Sequence, residues 1–556
     1  VTRDGATSNA HGSRLRRARP YVFVAILAIA AYANTLGHPF VYDDSDIARS
    51  PLLHDPWNLR AIFNGEHYGP RKALMQLYRP LSDWSCLLNY RANEILFGRG
   101  ESAFGFHAVD IALHAAVVCL VLASLVAIGL SRRVALIAAI LFALHPVHTE
   151  TVACNVNRSD SQATLFGLAF LLFHARRATA PAAIAYACAM WSKESAAAFF
   201  PLAIATDWLS SARAASGESA DHERSVARPF PFAAYGVFAA VLALWLGARA
   251  WALRDLPPSF TPIDNPLQTA SAWERVLTAA AVQARYLLLL VWPVGLSSDY
   301  SFDAIRIARS IDDPRVLAFA AVVGLAVLAS WRLRRSMPAV ALGVIGYAIV
   351  FAPTSNFVFP IGTIMAERLA YTPSILFCVL AALALAELRA ATTPVVALIA
   401  CAFLALTVAR NRTWSDPLTF CREQIRTSPR SAKAHVNLAS ALGNAGDDRG
   451  ALEEYERALA ILPDYPGIEY QRGNALHRLN ADPSAIVEAY RNAIRCEPSD
   501  VNARVNLAWT LLDAGREDEA RPIVAEIRAL DPRHPILASL EGRLAASRRA
   551  STPNSR

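Results

Sequence analysis

The chain has 556 residues, 54% of them hydrophobic and 18% charged, too long for one soluble domain and too apolar for several. A multispan membrane protein with a soluble part is expected. The formal net charge of +8 comes from short arginine patches between apolar runs, the habit of cytoplasmic loops, which argues against a nucleic-acid partner.

Taken in order, the chain opens with Arg14, Arg16, Arg17 and Arg19, so residues 1–20 are expected as a basic cytoplasmic N-terminus ahead of a retained first helix. Runs suited to cross about 30 Å of hydrocarbon fall near 21–36, 106–130, 133–145, 162–173, 181–191, 195–209, 231–251, 316–331, 338–351, 371–386 and 394–408. A further apolar segment, 276–293, carries Gln283 and Arg285 in its middle. If it crossed, the Arg332, Arg334, Arg335 cluster would lie outside; if it is re-entrant or interfacial, that cluster, Arg132-Arg133 and Arg176-Arg177 all fall inside. The expectation is thus an all-α bundle of about eleven spans over 21–409, with a first outer loop at 37–105 and the chain leaving on the outer side.

That parity collects the polar motifs on the outer face. Asp43, Asp44 and Asp46 put three carboxylates within four residues at the mouth of the first helix. Carboxylates there are costly unless they face a polar cavity, and a membrane surface raises their pKa toward values useful to a general base. The plainer reading is a solvated loop start with capping aspartates. An adjacent pair can also hold a divalent metal, but a hard cation wants more oxygen ligands than two carboxylates supply, so no metal is indicated.

Arg79, Arg158, Lys193 and Arg368 are cations on the same face, suited to an anionic phosphate; alternatively each marks an interface or a pair, such as Lys193 with Glu194 or Arg368 with Glu367. His145, His148 and Glu150 form H-x-x-H-x-E across a proline rather than H-E-x-x-H on a helix, which points to structural histidines. His107 and His114, two turns apart, are expected to face the bundle interior. Tyr300 and Phe302 suit an aromatic belt, or less simply a sugar face. The eight cysteines show no C-x-x-C pair and no zinc-ligand spacing, leaving open a single bridge between exported ones.

Beyond about residue 413 a period appears. Pro463, Pro498 and Pro532 lie about 34 or 35 residues apart, the period of tetratricopeptide repeats. Asn437-Leu438, Ala451, Tyr455 and Ala458 recur as Asn506-Leu507, Ala520, Val524 and Ile527. About three repeats are expected over 432–546, after a connecting helix within 410–431 and before a disordered tail at 547–556.

These pieces together resemble the transmembrane and tetratricopeptide-repeat O-mannosyltransferase family, and more distantly the protein O-mannosyltransferases of the GT-C class. The residues that carry the resemblance are Phe40-Val-Tyr-Asp-Asp44, Tyr78-Arg-Pro-Leu81, Gly105-Phe-His107, Leu144-His-Pro-Val-His148, Ser192-Lys-Glu194, Asp299-Tyr-Ser-Phe302, Gly362-Thr-Ile-Met-Ala-Glu-Arg368 and Arg410-Asn-Arg-Thr-Trp414. The resemblance implies a GT-C-like multispan fold, a polyprenyl- or dolichyl-phosphate mannose donor, and inverting transfer to Ser or Thr of exported protein. Asp43 and Asp44 match the family's acidic pair; Lys193, Glu367 and Arg368 match its outer polar motifs. Related chains read G-R-x-D where this one has Asn157-Arg158-Ser159-Asp160. No cofactor is implied beyond the lipid-linked donor. Val1 in place of Met, with high Ala and Arg content, suggests a bacterial chain or a fragment, hence polyprenyl phosphate and an inner membrane. Two other readings stay open: the same chemistry on a lipid or glycan acceptor, and a non-catalytic membrane scaffold whose repeats bind proteins.

Overall fold

The computed structural model describes residues 4–44, 57, 59–64, 77–216, 230–254 and 261–551. Asp46 lies outside them. The described residues are helical or irregular, with no strand among them.

Each of the eleven apolar runs contains a helix, because uninterrupted Ala, Leu, Val and Phe leave the backbone no better partner in hydrocarbon than itself. Five are long and apolar enough to cross a membrane: Arg17–Thr35, Ala103–Ala127, Phe232–Leu253, Pro314–Leu333 and Arg389–Trp414. A sixth candidate is Arg132–Leu144 with Pro146–Ala153, bent by 52° at the intervening break, where Pro146 cannot donate to the helical ladder. Pro338–Phe351 and Ser374–Ala386 are shorter. Segment 272–291 is one unbroken helix, Ala272–Val291, opened by a Ser271–Glu274 capping box. The helix runs through Gln283 and Arg285 without a break. A helix the apolar pattern did not reveal, Pro80–Phe97, lies inside the first loop; Pro80 starts it and Gly98, at φ 72°, ends it.

The helical core is built where Arg158–Ala175 packs along Thr179–Ser192 and Ala103–Ala127, and Arg132–Leu144 packs on Ser374–Ala386. Ala135, Ala138, Ala139, Ala182 and Ala189 are fully buried at these faces, small side chains that let helices approach closely. Gly105 acts similarly: a Cβ there would overlap the Asn93 side chain.

The chain divides into two compact units, 1–300 with 305–420, and 301–304 with 421–556. In the second, three helix pairs follow one another: Ala432–Asn444 with Asp448–Ile461, Ile468–Arg478 with Pro483–Cys496, and Val501–Asp513 with Glu517–Leu530. Ala451, Ala458, Ala475 and Ala520 are fully buried within and between pairs, and Tyr490 fills the space over Gly473. Asn437 donates to Gln424 (3.2 Å) and Asn506 to Asn474 (2.9 Å). A last helix, Leu537–Ser551, packs on the third pair. Of the tail expected as disordered over 547–556, residues 547–551 continue this helix, which Ala545, Ala546 and Ala550 favour, and 552–556 lie outside the described residues.

Candidate functional site

Residues 41–44 form a turn closed by the Asp44 N–H donating to the Val41 carbonyl (3.3 Å). Its first corner, Tyr42, has φ 60°, a left-handed conformation costing an L-residue ~1–2 kcal/mol. Val41 and Asp44 at the base are buried, whereas Asp43 at the tip is exposed. The Asp44 carboxylate accepts from the Val156 N–H (2.9 Å), the Asn155 side chain (3.0 Å) and the Cys154 thiol (3.3 Å). Burial pushes its pKa up to about 6, with these donors opposing the rise. The two aspartates thus differ: Asp44 is clamped inside and Asp43 faces out.

The cations expected at the same face are brought together, but in pairings the sequence did not suggest. Lys193 and Glu194 do not pair with each other, nor do Glu367 and Arg368. Lys193 Nζ lies 2.6 Å from both Asp160 oxygens. Arg79 grips Glu194 through Nε (3.0 Å) and Nη2 (2.6 Å), and reaches the Ser159 hydroxyl (3.4 Å). Arg368 pairs with Glu150 through its guanidinium, and its backbone N–H donates to the same carboxylate (2.9 Å). Strand-like extension at Lys193 and Ala366 (φ −160° and −155°) separates the directions of successive side chains.

Burial lowers the Lys193 pKa, Asp160 opposes that, and the nearby positive charges of Arg79 and Arg368 lower it further. Burial would raise the Glu194 pKa, yet Arg79 outweighs it and holds the carboxylate well below its usual range. Lys193 therefore feels both other cations, with Arg79 and Arg368 partly exposed (17% and 31% of their side chains) and Lys193 covered.

Arg158 is not in that accessible group. It is fully buried, with Nε 2.5 Å from Asp110, Nη2 donating to Asn89 (2.8 Å) and the Phe106 carbonyl (3.2 Å). Direct phosphate binding by Arg158 is corrected to an internal ion pair. Asp110 could have been found from sequence, since a carboxylate inside an apolar run demands a cation. Asn157, standing where related chains have Gly, has φ −86°, so no glycine is required; its side chain donates to the Glu150 carbonyl (2.9 Å).

Residues 149–160 are thus a hub that sequence reasoning did not isolate. They hold Asp44 through 154–156, Arg368 through Glu150, Lys193 through Asp160 and Arg79 through Ser159. The segment can do so because its short helices, Thr149–Ala153 and Asn155–Asn157, are separated by the extended residue Cys154.

Glu367 belongs to a separate buried knot. It accepts from the Tyr300 hydroxyl (2.9 Å) and the Ser297 N–H (2.5 Å), and lies 3.7 Å from Arg410. Burial pushes its pKa up to about 7, with Arg410 opposing and Glu150 adding to the rise. Tyr300 is 2% exposed with the Arg285 guanidinium over its ring at 5.0 Å, so neither the aromatic belt nor a sugar face describes it. His145 donates to the Leu290 carbonyl (2.9 Å) and accepts from the Val147 N–H; His148 meets Ser374 (2.8 Å). Both, with His107 and His114, are buried, in keeping with structural roles and interior facing. All eight cysteines are free, against a bridge. Among the described residues no group of three His, Cys, Asp or Glu side chains is placed to hold a metal ion.

The fold and this knot of buried charge define a polytopic helical membrane protein with an appended repeat solenoid. Residues 254–327 match the family model of protein O-mannosyl-transferase TMTC, DUF1736, and 479–544 that of the tetratricopeptide repeat. Protein O-mannosyl-transferase F38B6.6 of Caenorhabditis elegans is 28% identical over 482 residues, 83% of this chain and 65% of that protein. Human protein O-mannosyl-transferase TMTC1 is 30% identical, over 83% of this chain and 57% of that protein, and mouse TMTC3 26% identical, over 92% and 60%. The family resemblance read from the motifs therefore holds over most of the chain, which spans about three fifths of the length of these curated relatives. Among solved structures, the crystal structure of the APC/C hetero-tetramer Cut9-Hcn1 aligns with 90% of this chain and 98% of that one, at 14% identity and a TM-score of 0.23, a level from which no shared fold is read.

Proposed function

We propose that the chain is a membrane glycosyltransferase that moves mannose from a polyprenyl-phosphate donor to Ser or Thr hydroxyls of exported proteins, with inversion. The observation that carries the reading is the unequal pair: Asp43 exposed at a turn tip, its neighbour Asp44 clamped by 154–156, on the same hub that holds Arg79, Lys193 and Arg368. The names of the relatives, protein O-mannosyl-transferases, support the reaction class.

In this reading the donor lies in the membrane with its phosphate toward Arg368 and Arg79, where Arg offers a forked donor set, while Lys193 adds positive field from behind. The acceptor oxygen attacks the anomeric carbon as the bond to the phosphate oxygen breaks. Asp43 takes the hydroxyl proton, and the phosphate leaves as an anion without a general acid. Asp44, Glu150, Asp160 and Glu194 orient the groups beside them. In this reading the basic clusters stay cytoplasmic, and this face and the repeats lie on the outer, periplasmic side of a bacterial inner membrane, with the repeats holding the protein acceptor.

The test is transfer of radiolabelled mannose from polyprenyl-phosphate mannose by the reconstituted full chain, with membrane-fraction proteins and lipids as acceptors. Label in protein is expected. Label confined to lipid would discard the protein acceptor, and none with this or other sugar donors would discard the transferase.

A further inference from the structure

We propose that Tyr42, seated on Phe420, is a positioning residue that sets the direction in which Asp43 faces. The proposal rests on the reading of Asp43 as the base. Tyr42 occupies a turn corner with φ 60°, where Gly, Asn or Asp is usual and a bulky aromatic is an outlier. Such a conformation persists only where its surroundings over-determine it, and it gathers at functional sites.

Two anchors over-determine it here. On one side the Asp44 carboxylate is held by Cys154, Asn155 and Val156. On the other, the Tyr42 ring packs on Phe420 with centroids 5.3 Å apart, and Phe420 on Trp414 at 4.6 Å. Phe420 and Trp414 are 2% and 3% exposed, so the seat is itself fixed in packed surroundings.

The seat is also tied to the helix from which the acidic turn emerges. Asn411 donates to the Ala31 carbonyl (2.9 Å) and to Asn34 (2.8 Å), and Asn34 donates back to the Val408 carbonyl (3.1 Å). The ends of the apolar segments Arg17–Thr35 and Arg389–Trp414 are thus bonded, and a few residues on, the two segments meet again as Tyr42 on Phe420. This closed frame uses an aromatic where an unstrained turn would use Gly, and the residue it exposes is Asp43.

The test compares Tyr42→Phe, Tyr42→Gly, Tyr42→Val and Asp43→Asn in the reconstituted full chain, reading kcat, donor KM and melting temperature. Phe keeps the ring, so near-parent kinetics are expected. Val loses the ring and resists positive φ, so kcat should fall about 10²-fold, the effect of misplacing a reacting group by about 1 Å, with donor KM unchanged. Gly keeps the backbone but not the seat and should fall between. A Val variant with parent kcat, or losses of kcat that merely follow falling melting temperature, would overturn the proposal. If Asp43→Asn itself transfers normally, the base reading falls and this proposal with it. An inactive Asp43→Asn beside a fully active Tyr42→Val overturns the positioning role alone.

Discussion

Lys193 Nζ sits 2.6 Å from both carboxylate oxygens of Asp160, and neither side chain is more than 7% exposed. A buried pair of this kind is balanced: desolvation of both charges offsets their attraction, and removing one partner leaves the other uncompensated.

Asp160→Asn is therefore expected to destabilise the helical unit by about 3–5 kcal/mol, whereas the double change Asp160→Leu with Lys193→Met should recover most of it. Thermal unfolding of the detergent-purified full chain checks this; a single mutant as stable as the parent would show that the pair does not stabilise the fold.

Arg368 makes a different prediction because it is partly exposed while paired to Glu150. Arg368→Lys keeps the charge and loses the fork, so donor KM should rise about 10- to 10²-fold, the worth of one charge-assisted hydrogen bond of about 1.5–3 kcal/mol. Initial rates at varied donor concentration, with kcat little changed, would bear this out; an unchanged KM would place the phosphate elsewhere.

The pH response of Asp44 follows from its raised pKa, about 6 in the fold against about 3.9 for a free Asp. Between those values the folded state binds the extra proton, so stability falls as pH rises: the contribution is complete below about 4 and lost through about 6. Glu367, raised to about 7, acts in the same direction over a higher window. Unfolding free energies from pH 4.5 to 8 should show a component on the order of 2 kcal/mol that Asp44→Asn removes. Parallel curves for parent and variant would contradict the burial that causes the shift.

In the repeats, a Cβ on Gly473 would stand 2.6 Å from the Tyr490 ring, whose hydroxyl is held by Asn474 (2.8 Å). Gly473→Ala should cost about 1–3 kcal/mol of overpacking, seen by calorimetry of the full chain as a lowered repeat transition. An unshifted transition would mean that Tyr490 moves aside freely.

Apolar runs, prolines about 34 residues apart and the acidic pair were legible because each is written in local sequence. The partners of the charges were not. Lys193-Glu194 and Glu367-Arg368 invite neighbour pairing, but extended backbone at Lys193 and Ala366 sends successive side chains to Asp160, Arg79, Arg410 and Glu150, which lie 33 to 218 residues away or on another helix. The helix Pro80–Phe97 escaped because its apolar positions are interrupted by Asp83, Arg91 and Glu94. Asp110 was readable and its meaning was missed among the histidines beside it.

The most direct measurement compares mannose transfer by Asp43→Asn with that of the parent chain, at equal folded protein and with donor binding measured alongside. If Asp43 is the base, Asp43→Asn puts no label into protein while donor binding and melting temperature stay at parent values. Transfer by that variant at the parent rate would contradict Asp43 as the base.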